Sequence, residues 1–322
     1  MANSTINSTI MGKAYEYACI LAIKELLINV RPVEIVCDKS LCIAKERYSK
    51  ISKNEQNEMS KSALAGLKAI IEMEPKIIED GKDILEVSLQ PDNVAKTTGD
   101  IRDILITRRS IKWEIGISVK HNHAALKHPR LSPELDFGNV WFKIPCSNLY
   151  FSEIEPVFNK LKEYESHGKL WKEIPSKYDT LYMPILNAFK KEFDSLYKKH
   201  QDEVTKNLIN YFIGSNGKDY YKIIHCNNHT TRIQPFNLSG TLNQETANKK
   251  PSITFDKLSL PTKIIDLFFK EKSKTTLILK MDNCWVISFR IHNASSHVET
   301  SLKFDIQPIE QPADIFYLDV EW

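Results

Sequence analysis

The pattern of apolar and polar positions predicts a chain that opens with helices and closes with strands. Apolar residues recur at helical spacing between about residues 12 and 28, and again between about residues 60 and 74. A short strand is expected at residues 33–36, and one or two long helices over residues 176–213. From Tyr220 onward, β-branched and aromatic runs are separated by polar clusters, which is typical of strands. The pattern therefore predicts an α/β core followed by a helical and then β-rich region.

One predicted pair of strands carries a polar face. The run Trp113–Lys120 alternates strictly, so that Ser118 and Lys120 lie on one side of the strand and the apolar residues on the other. An earlier apolar run begins directly after Asp103, and the polar connection between the two runs is short enough for an antiparallel hairpin. With the turn centred on residues 110–111, Asp103 lies opposite Ser118 and on the same face as Lys120.

These three side chains form a candidate site for phosphodiester hydrolysis. Mg²⁺ prefers carboxylate oxygens and helps such a reaction, and a nearby lysine stabilises the developing negative charge. The usual pattern is Asp, followed later by Asp or Glu, one residue and Lys, but here Ser118 replaces the second acid. Glu134, fourteen residues after Lys120, is the first candidate for the missing carboxylate, and Glu16 on the first predicted helix is the second. A structural aspartate at the start of a strand is the alternative.

Composition narrows the class of protein further. The chain has 322 residues, of which 42% are apolar, so it can bury a substantial core. Its net charge is only +3, so binding to DNA would require basic side chains gathered on one face. No glycine-rich phosphate loop appears. The six scattered cysteines, the absence of a secretory signal and the lack of a membrane-length apolar run predict a soluble cytoplasmic protein.

Several stretches of the chain resemble a known family. GDIRDILI and the following WEIGISVKHNHAALKHPRLSPELDFGNVWFKIPCS closely resemble the HaeIII-type restriction endonucleases. MGKAYEYACIL resembles the opening helix of that family, and SFRIHNASSHVETSLKFDI resembles a block near its end. Because the matches lie at both ends and in the middle, the resemblance spans most of the chain.

The resemblance implies a fold and a division of labour along the chain. The expected fold is α/β, with a restriction-endonuclease-like PD-(D/E)xK core, in which a mixed sheet is flanked by helices, and an α+β C-terminal half. Residues 1–165 would hold this core with the catalytic hairpin at 100–121. Residues 166–322 would form a helical and then β-rich region for DNA recognition, either as a separate domain or packed as one continuous domain with the core. The polar stretch at 237–251 is the best candidate for a linker.

The resemblance also implies an activity. Members of the family are associated with hydrolysis of both strands of double-stranded DNA at the palindrome GGCC, with Mg²⁺ as cofactor. Carried over to this sequence, the motif makes Asp103 and Lys120 the catalytic pair, and Asp103 with Glu134 the expected metal ligands. A palindromic site is most simply read by a homodimer. A cytosine methyltransferase of the same system would protect host DNA.

Two groups of polar side chains are candidates for contacts with DNA. The first follows the catalytic lysine and suits phosphate contacts: His121, Asn122, His123, His128 and Arg130. The second lies in the C-terminal block and has side chains of the types that read base edges: Arg290, His292 and Asn293. Arginine in particular suits the guanines of GGCC. The alternatives are a solvated polar loop and a polar strand edge.

Two other functions remain open at this point. An inactive DNA-binding protein of the same fold is suggested by Ser118 in place of an acid. A nonspecific or repair nuclease is the second alternative, although the large β-rich half argues against it. Metal-dependent cleavage into discrete fragments would separate both from a restriction enzyme.

Overall fold

The computed structural model describes residues 8–79, 82–91, 100–121, 129–214, 217–310 and 316–322. The chain divides into two compact units, each built from separate stretches of sequence. Unit 1 comprises Met1–Ala124, Asn216–Leu258 and Asp314–Trp322, and unit 2 comprises Ala125–Ser215 and Ser259–Ala313. The domain boundary expected near residue 165 stays a prediction.

The elements run as follows in chain order. The helices are α1 (Ser8–Leu27), α2 (Lys39–Lys50), α3 (Lys53–Met73), α4 (Asn148–Ser166), α5 (Met183–Lys199) and α6 (Gln201–Ile213). The strands are β1 (Val33–Ile35), β2 (Leu85–Leu89), β3 (Ile104–Arg108), β4 (Trp113–His121), β5 (Arg130–Leu131), β6 (Tyr220–His225), β7 (Thr230–Phe236), β8 (Ile264–Phe269), β9 (Thr276–Met281), β10 (Val286–His292), β11 (Leu302–Glu310) and β12 (Leu318–Glu321). Short 3₁₀ or π segments lie at Pro75–Ile77, Arg109–Ile111, Gly138–Phe142, Trp171–Glu173 and Tyr178–Tyr182.

Unit 1 is a mixed sheet packed against helices. Its described strands follow the order β1-β2-β3-β4-β6-β7-β12. The pairs β1/β2 and β4/β6 are parallel, and the other neighbours are antiparallel. Apolar residues of α1 and α3 pack with the apolar side chains of β3, β4 and β6 in one core, including Ile104, Ile117 and Ile223. The expected mixed α/β class, with a mixed sheet flanked by helices, is confirmed.

The helices of unit 1 show what the pattern could and could not predict. Helix α1 agrees with the expectation to within a few residues, but α3 begins at Lys53 rather than near residue 60. Its start is fixed by a capping box, in which the Ser52 hydroxyl accepts from Glu55 N and the Glu55 carboxylate accepts from Ser52 N. Helix α2 was not predicted, because its apolar stripe of Leu41, Ala44 and Tyr48 is short and only Ala44 in it is fully buried.

Unit 2 combines α4, α5 and α6 with an antiparallel sheet. Its described strands follow the order β5-β11-β10-β9-β8. The core is rich in stacked and edge-on aromatic rings, among them Trp141, Phe189, Phe289 and Phe304. One face of the sheet therefore packs on the aromatic residues of the helices, and on β10 and β11 the opposite face carries polar side chains.

Two expectations about the second half of the chain were wrong. The polar stretch at 237–251 is no linker, because Leu242 is buried in the core of unit 1 and Asn243 N donates to Glu74 at 2.8 Å. Among the β-branched and aromatic runs that follow Tyr220, the run SITF at residues 252–255 is not a strand, whereas the other runs overlap strands. None of the helices in the described part of the chain is both long and apolar enough to span a membrane.

Candidate active site

The hairpin of β3 and β4 has the register that the sequence predicts. Ile104 pairs with Ile117, and the pairing continues to Arg108 and Trp113, so that Asp103 falls opposite Ser118. Asp103 N also donates to Ile117 O at 2.9 Å, which extends the ladder by one residue beyond β3. The side chains of Asp103, Ser118 and Lys120 are consequently held at the same end of the hairpin.

The Asp103 carboxylate is the centre of this group. Its Oδ2 accepts hydrogen bonds from Val119 N at 2.6 Å, from Lys120 Nζ at 3.2 Å and from Ser118 Oγ at 3.4 Å. No donor among the described residues reaches Oδ1. The side chains of Asp103 and Lys120 keep 24% and 23% of their surface exposed, so a substrate can reach both. This is a fixed acid and cation pair with one carboxylate oxygen left for a ligand.

Glu16 on α1 is the second carboxylate brought to this group. It is 6% exposed, and Lys13 Nζ donates to its Oε2 at 2.9 Å. Burial, followed by the negative charge of Asp103, raises the pKa of Glu16 to about 7, although the charges of Lys13 and Lys120 oppose the shift. The repulsion means that the two carboxyl groups lie within electrostatic reach of each other.

The donor set of this group fits a hard divalent cation. Two carboxylates that repel each other in a partly buried setting gain by sharing a cation, and Mg²⁺ prefers oxygen ligands. Among the described residues no group of three or more His, Cys, Asp or Glu side chains is arranged to hold a metal ion. Mg²⁺ is commonly bound by one or two carboxylates and completes its shell with water and substrate phosphate oxygens. Asp103 and Glu16 match that requirement.

Glu134, the first candidate for the second carboxylate, belongs to unit 2. It is exposed and lies three residues after β5. The described contacts do not join it to Asp103, and its role as a metal ligand stays a prediction.

Three of the predicted phosphate contacts, Asn122, His123 and His128, lie outside the described residues.

Lys222 is a charged residue that sequence reasoning missed. It lies on β6, directly beside Ser118 in the parallel pairing of β4 and β6, and is only 4% exposed. Burial, followed by the positive charge of Lys120, lowers the pKa of Lys222 to about 7, and the charge of Asp103 opposes the shift. The lysine within the apolar YYKII run is visible in the sequence, but its place beside the site follows only once β4 is known to be the neighbour of β6.

His121 packs against another ring at the end of β4. It pairs with His225 on β6, and the two rings stack with centroids 4.9 Å apart and planes 13° apart. Burial lowers the pKa of His121, and burial together with the charges of neighbouring histidines lowers the pKa of His225 to about 4. His121 is therefore a neutral stacked ring near neutral pH, and its role in phosphate binding stays a prediction.

The remaining candidates lie in unit 2 and differ in their surroundings. Arg130 on β5 donates to Glu299 and to Ser301 Oγ, each at 2.7 Å. Arg290 is exposed on β10 and shares one strand face with His292, as the alternation predicts. Asn293 lies in the turn after β10, where its Nδ2 donates to the carbonyl of residue 295 at 2.7 Å.

Comparison with known proteins places the chain among the restriction endonucleases. The family model described as HaeIII restriction endonuclease matches residues 12–312, and the chain belongs to that family. A curated relative, the Type II restriction enzyme HaeIII of Haemophilus aegyptius, is 43% identical over 312 residues, which is 97% of this chain and 97% of the relative. No solved structure matches the chain. The resemblance seen in the sequence is confirmed.

Proposed function

We propose that the protein is a type II restriction endonuclease that hydrolyses double-stranded DNA with Mg²⁺ at a PD-(D/E)xK site. The observation that carries this proposal is the Asp103 carboxylate, which accepts hydrogen bonds from Lys120 and Ser118 on the hairpin. Its negative charge contributes to the raised pKa of Glu16, so a second carboxyl group lies within its electrostatic reach. A family member with this group has the acids to hold a cation and the lysine to meet a phosphate.

In this proposal each side chain has a separate task. Asp103 and Glu16 hold the cation, and Mg²⁺ when bound supplies charge neutralisation and a more acidic water. Lys120 Nζ lies 3.2 Å from Asp103 Oδ2 and is partly exposed, so it can donate to a phosphate oxygen as negative charge develops there. Ser118 donates to Asp103 and keeps that carboxylate in its orientation.

Ser118 explains why the second acid must come from another element. It stands where the usual pattern has a carboxylate, and its neighbour across the sheet is the buried Lys222. A carboxylate at position 118 would lie beside the ammonium group of Lys222 and pair with it, so it would be less available to a metal ion. Glu16 on α1 then takes over as the second ligand, and Glu134 is the alternative.

The finer features of the proposal rest on the resemblance to the family. They are the recognition site GGCC, a homodimer that matches the two-fold symmetry of a palindrome, and a cytosine methyltransferase that protects the host's own DNA. Arg130, Arg290, His292 and Asn293 remain candidates for DNA contacts, with phosphates for the first and base edges for the others. An enzyme with this task would work in the cytoplasm.

The direct test is digestion of a fully sequenced plasmid with purified protein, in Mg²⁺ and separately in EDTA. Discrete fragments in Mg²⁺ alone are expected, and sequencing their ends would give the recognition site and the cut position. Intact plasmid in both conditions would instead favour an inactive DNA-binding protein. A smear would favour a nonspecific nuclease.

The site assignment is tested by removing the two groups that define it. We expect Asp103→Ala and Lys120→Ala to abolish cleavage and to leave DNA binding largely intact, because both act on the reacting phosphate. Lys24→Ala, an exposed lysine on α1, is the matched control and should cut normally. Full activity in either hairpin variant would refute the assignment. Glu134→Ala separates the two ligand candidates, since normal cleavage is expected only if Glu16 is the second ligand.

A further inference from the structure

The sheet of unit 2 presents a polar face formed by two neighbouring strands. On β10, Phe289 and Ile291 are buried, whereas Arg290 and His292 point to the opposite face. Strand β11 repeats the pattern, with Phe304 and Ile306 buried. We call the outer side the polar face, and its members are Arg290, His292, Lys303, Asp305 and Gln307. A sheet needs only one apolar face to pack, so these polar residues are not required by the core.

Pairing within the polar face leaves Arg290 unengaged. Arg290 and Asp305 are direct partners across β10 and β11, a position in which an ion pair is usual. Asp305 Oδ2 instead lies 2.6 Å from His292 Nε2, and its Oδ1 lies 3.9 Å from Lys303 Nζ. Within the described part of the chain, the exposed guanidinium of Arg290 makes no hydrogen bond or ion pair. Its five donors are available to a ligand.

His292 is fixed between two acceptors and does not compete for that ligand. Its Nδ1 lies 2.8 Å from the carbonyl oxygen of Asn293, and its Nε2 lies 2.6 Å from Asp305 Oδ2. The ring therefore holds the Asp305 carboxylate away from Arg290. In this inference His292 and Asp305 position the arginine, and this replaces the base contact that is a candidate role for His292 above.

The spacing of the donors matches the repeat of a DNA duplex. Lys303 and Gln307 lie two residues on either side of Asp305, so both are diagonal neighbours of Arg290. Diagonal neighbours on paired strands are about 7–8 Å apart, and base pairs rise by about 3.4 Å. Each diagonal thus spans about two base-pair steps. Because β10 and β11 are inner strands of the five-stranded sheet, it is the long side chains of Arg290 and Lys303 that would enter the major groove, where guanine presents its N7 and O6 acceptors to arginine or lysine.

The composition of the polar face suits the edges of base pairs. The whole chain carries a net charge of only +3, so any DNA contact must come from local groups of cations. The polar face combines two cations with an amide and a hydrogen-bonded acid, which is a set that discriminates among base edges. We propose that this face reads guanines in the major groove of the recognition site, with Arg290 as the principal contact and Lys303 as the second. This inference rests on the proposed function.

The test compares two duplexes, one containing the mapped cleavage site and one with the same bases reshuffled, bound in EDTA so that no cutting occurs. A good bidentate contact to guanine corresponds to a loss of roughly 5- to 150-fold when it is removed. We expect Arg290→Ala to lose this much affinity for the site and to bind the reshuffled duplex almost as before. Lys272→Ala, an exposed charge elsewhere in unit 2, is the control and should change neither affinity by more than about twofold.

Single replacement of guanines by 7-deazaguanine identifies the contact. One replacement should weaken DNA binding by the wild-type protein and should not weaken binding by Arg290→Ala any further, because the N7 acceptor and its donor belong to one hydrogen bond. If Arg290→Ala lost the same affinity for both duplexes and its binding depended less on salt than that of the wild-type protein, Arg290 would contact a phosphate. That result would overturn the inference. So would unchanged site preference in both Arg290→Ala and Lys303→Ala, provided that the wild-type protein cuts at discrete sites. A wild-type protein that neither cuts nor prefers any site would refute the proposed function instead.

Discussion

Replacing Glu16 by glutamine should stabilise the protein while it abolishes cleavage. The ordinary carboxyl pKa of 4.5 applies to the unfolded chain, and the folded pKa is about 7. Between these values the folded state keeps a proton that the unfolded state has lost. Stability therefore falls as pH rises from about 4.5 to 7 and stays lowered above that range. At 1.36 kcal/mol per pH unit, the loss amounts to at most about 3 kcal/mol.

Thermal unfolding in EDTA measures this effect. Glu16→Gln cannot ionise, so its Tm should be close to that of the wild-type protein at pH 5 and higher at pH 8. For a unit of this size, about 3 kcal/mol corresponds to roughly 6–12 °C. Glu25→Gln changes an exposed position on the same helix and is the control. The difference between its Tm at pH 5 and its Tm at pH 8 should equal that of the wild-type protein.

Mg²⁺ should reverse the order of stability. A cation held by Asp103 and Glu16 binds only the folded state, so it should raise the Tm of the wild-type protein at pH 8 and have little effect on Glu16→Gln. A Tm difference between variant and wild type that is the same at pH 5 and pH 8 would refute the assignment of a buried, ionising carboxyl to Glu16. Wild-type cleavage by the variant would transfer the ligand role to Glu134.

Two further predictions concern stability away from the reacting groups. Asp83→Ala should cost about 3 kcal/mol or more in urea unfolding, because the carboxylate that Arg31 and Arg108 share would be lost and both arginines are almost fully buried; an unchanged midpoint would contradict this. Gly116→Ala should cost about 1–3 kcal/mol, since the new Cβ would lie 2.0 Å from the Cδ atom of the arginine at position 102. Gly12→Ala, which has open space on α1, should instead gain about 0.5–1 kcal/mol, and equal effects of the two alanines would show that crowding is not the cause.

The hairpin was predictable because its information is local. Strict alternation fixes which residues share a face, and a short polar turn fixes the register, so Asp103, Ser118 and Lys120 could be grouped from the sequence. The start of α3 is also marked by a local feature, the capping box of Ser52 and Glu55. The apolar periodicity alone places the start of this helix too late in the sequence.

The rest of the site depends on contacts between distant segments. Lys222 lies beside the site because β6 pairs in parallel with β4, and no local sequence pattern predicts which strands become neighbours. Glu16 has an apolar helix around it and looks like an ordinary helical acid until α1 is placed near Asp103. The family resemblance supplied the function, whereas the preference for Glu16 over Glu134 is a proposal that rests on the electrostatic effect of Asp103 on Glu16.

The interleaving of the two units also sets an order of assembly during synthesis. Strand β12 pairs with β7 at the edge of the sheet of unit 1, and both segments of unit 2 precede it in the chain. A growing chain has therefore made all of unit 2 before it can add the last strand to the sheet that carries Asp103 and Lys120. The half of the molecule with the acid and lysine pair is the last to be complete, so an unfinished chain carries that sheet one strand short.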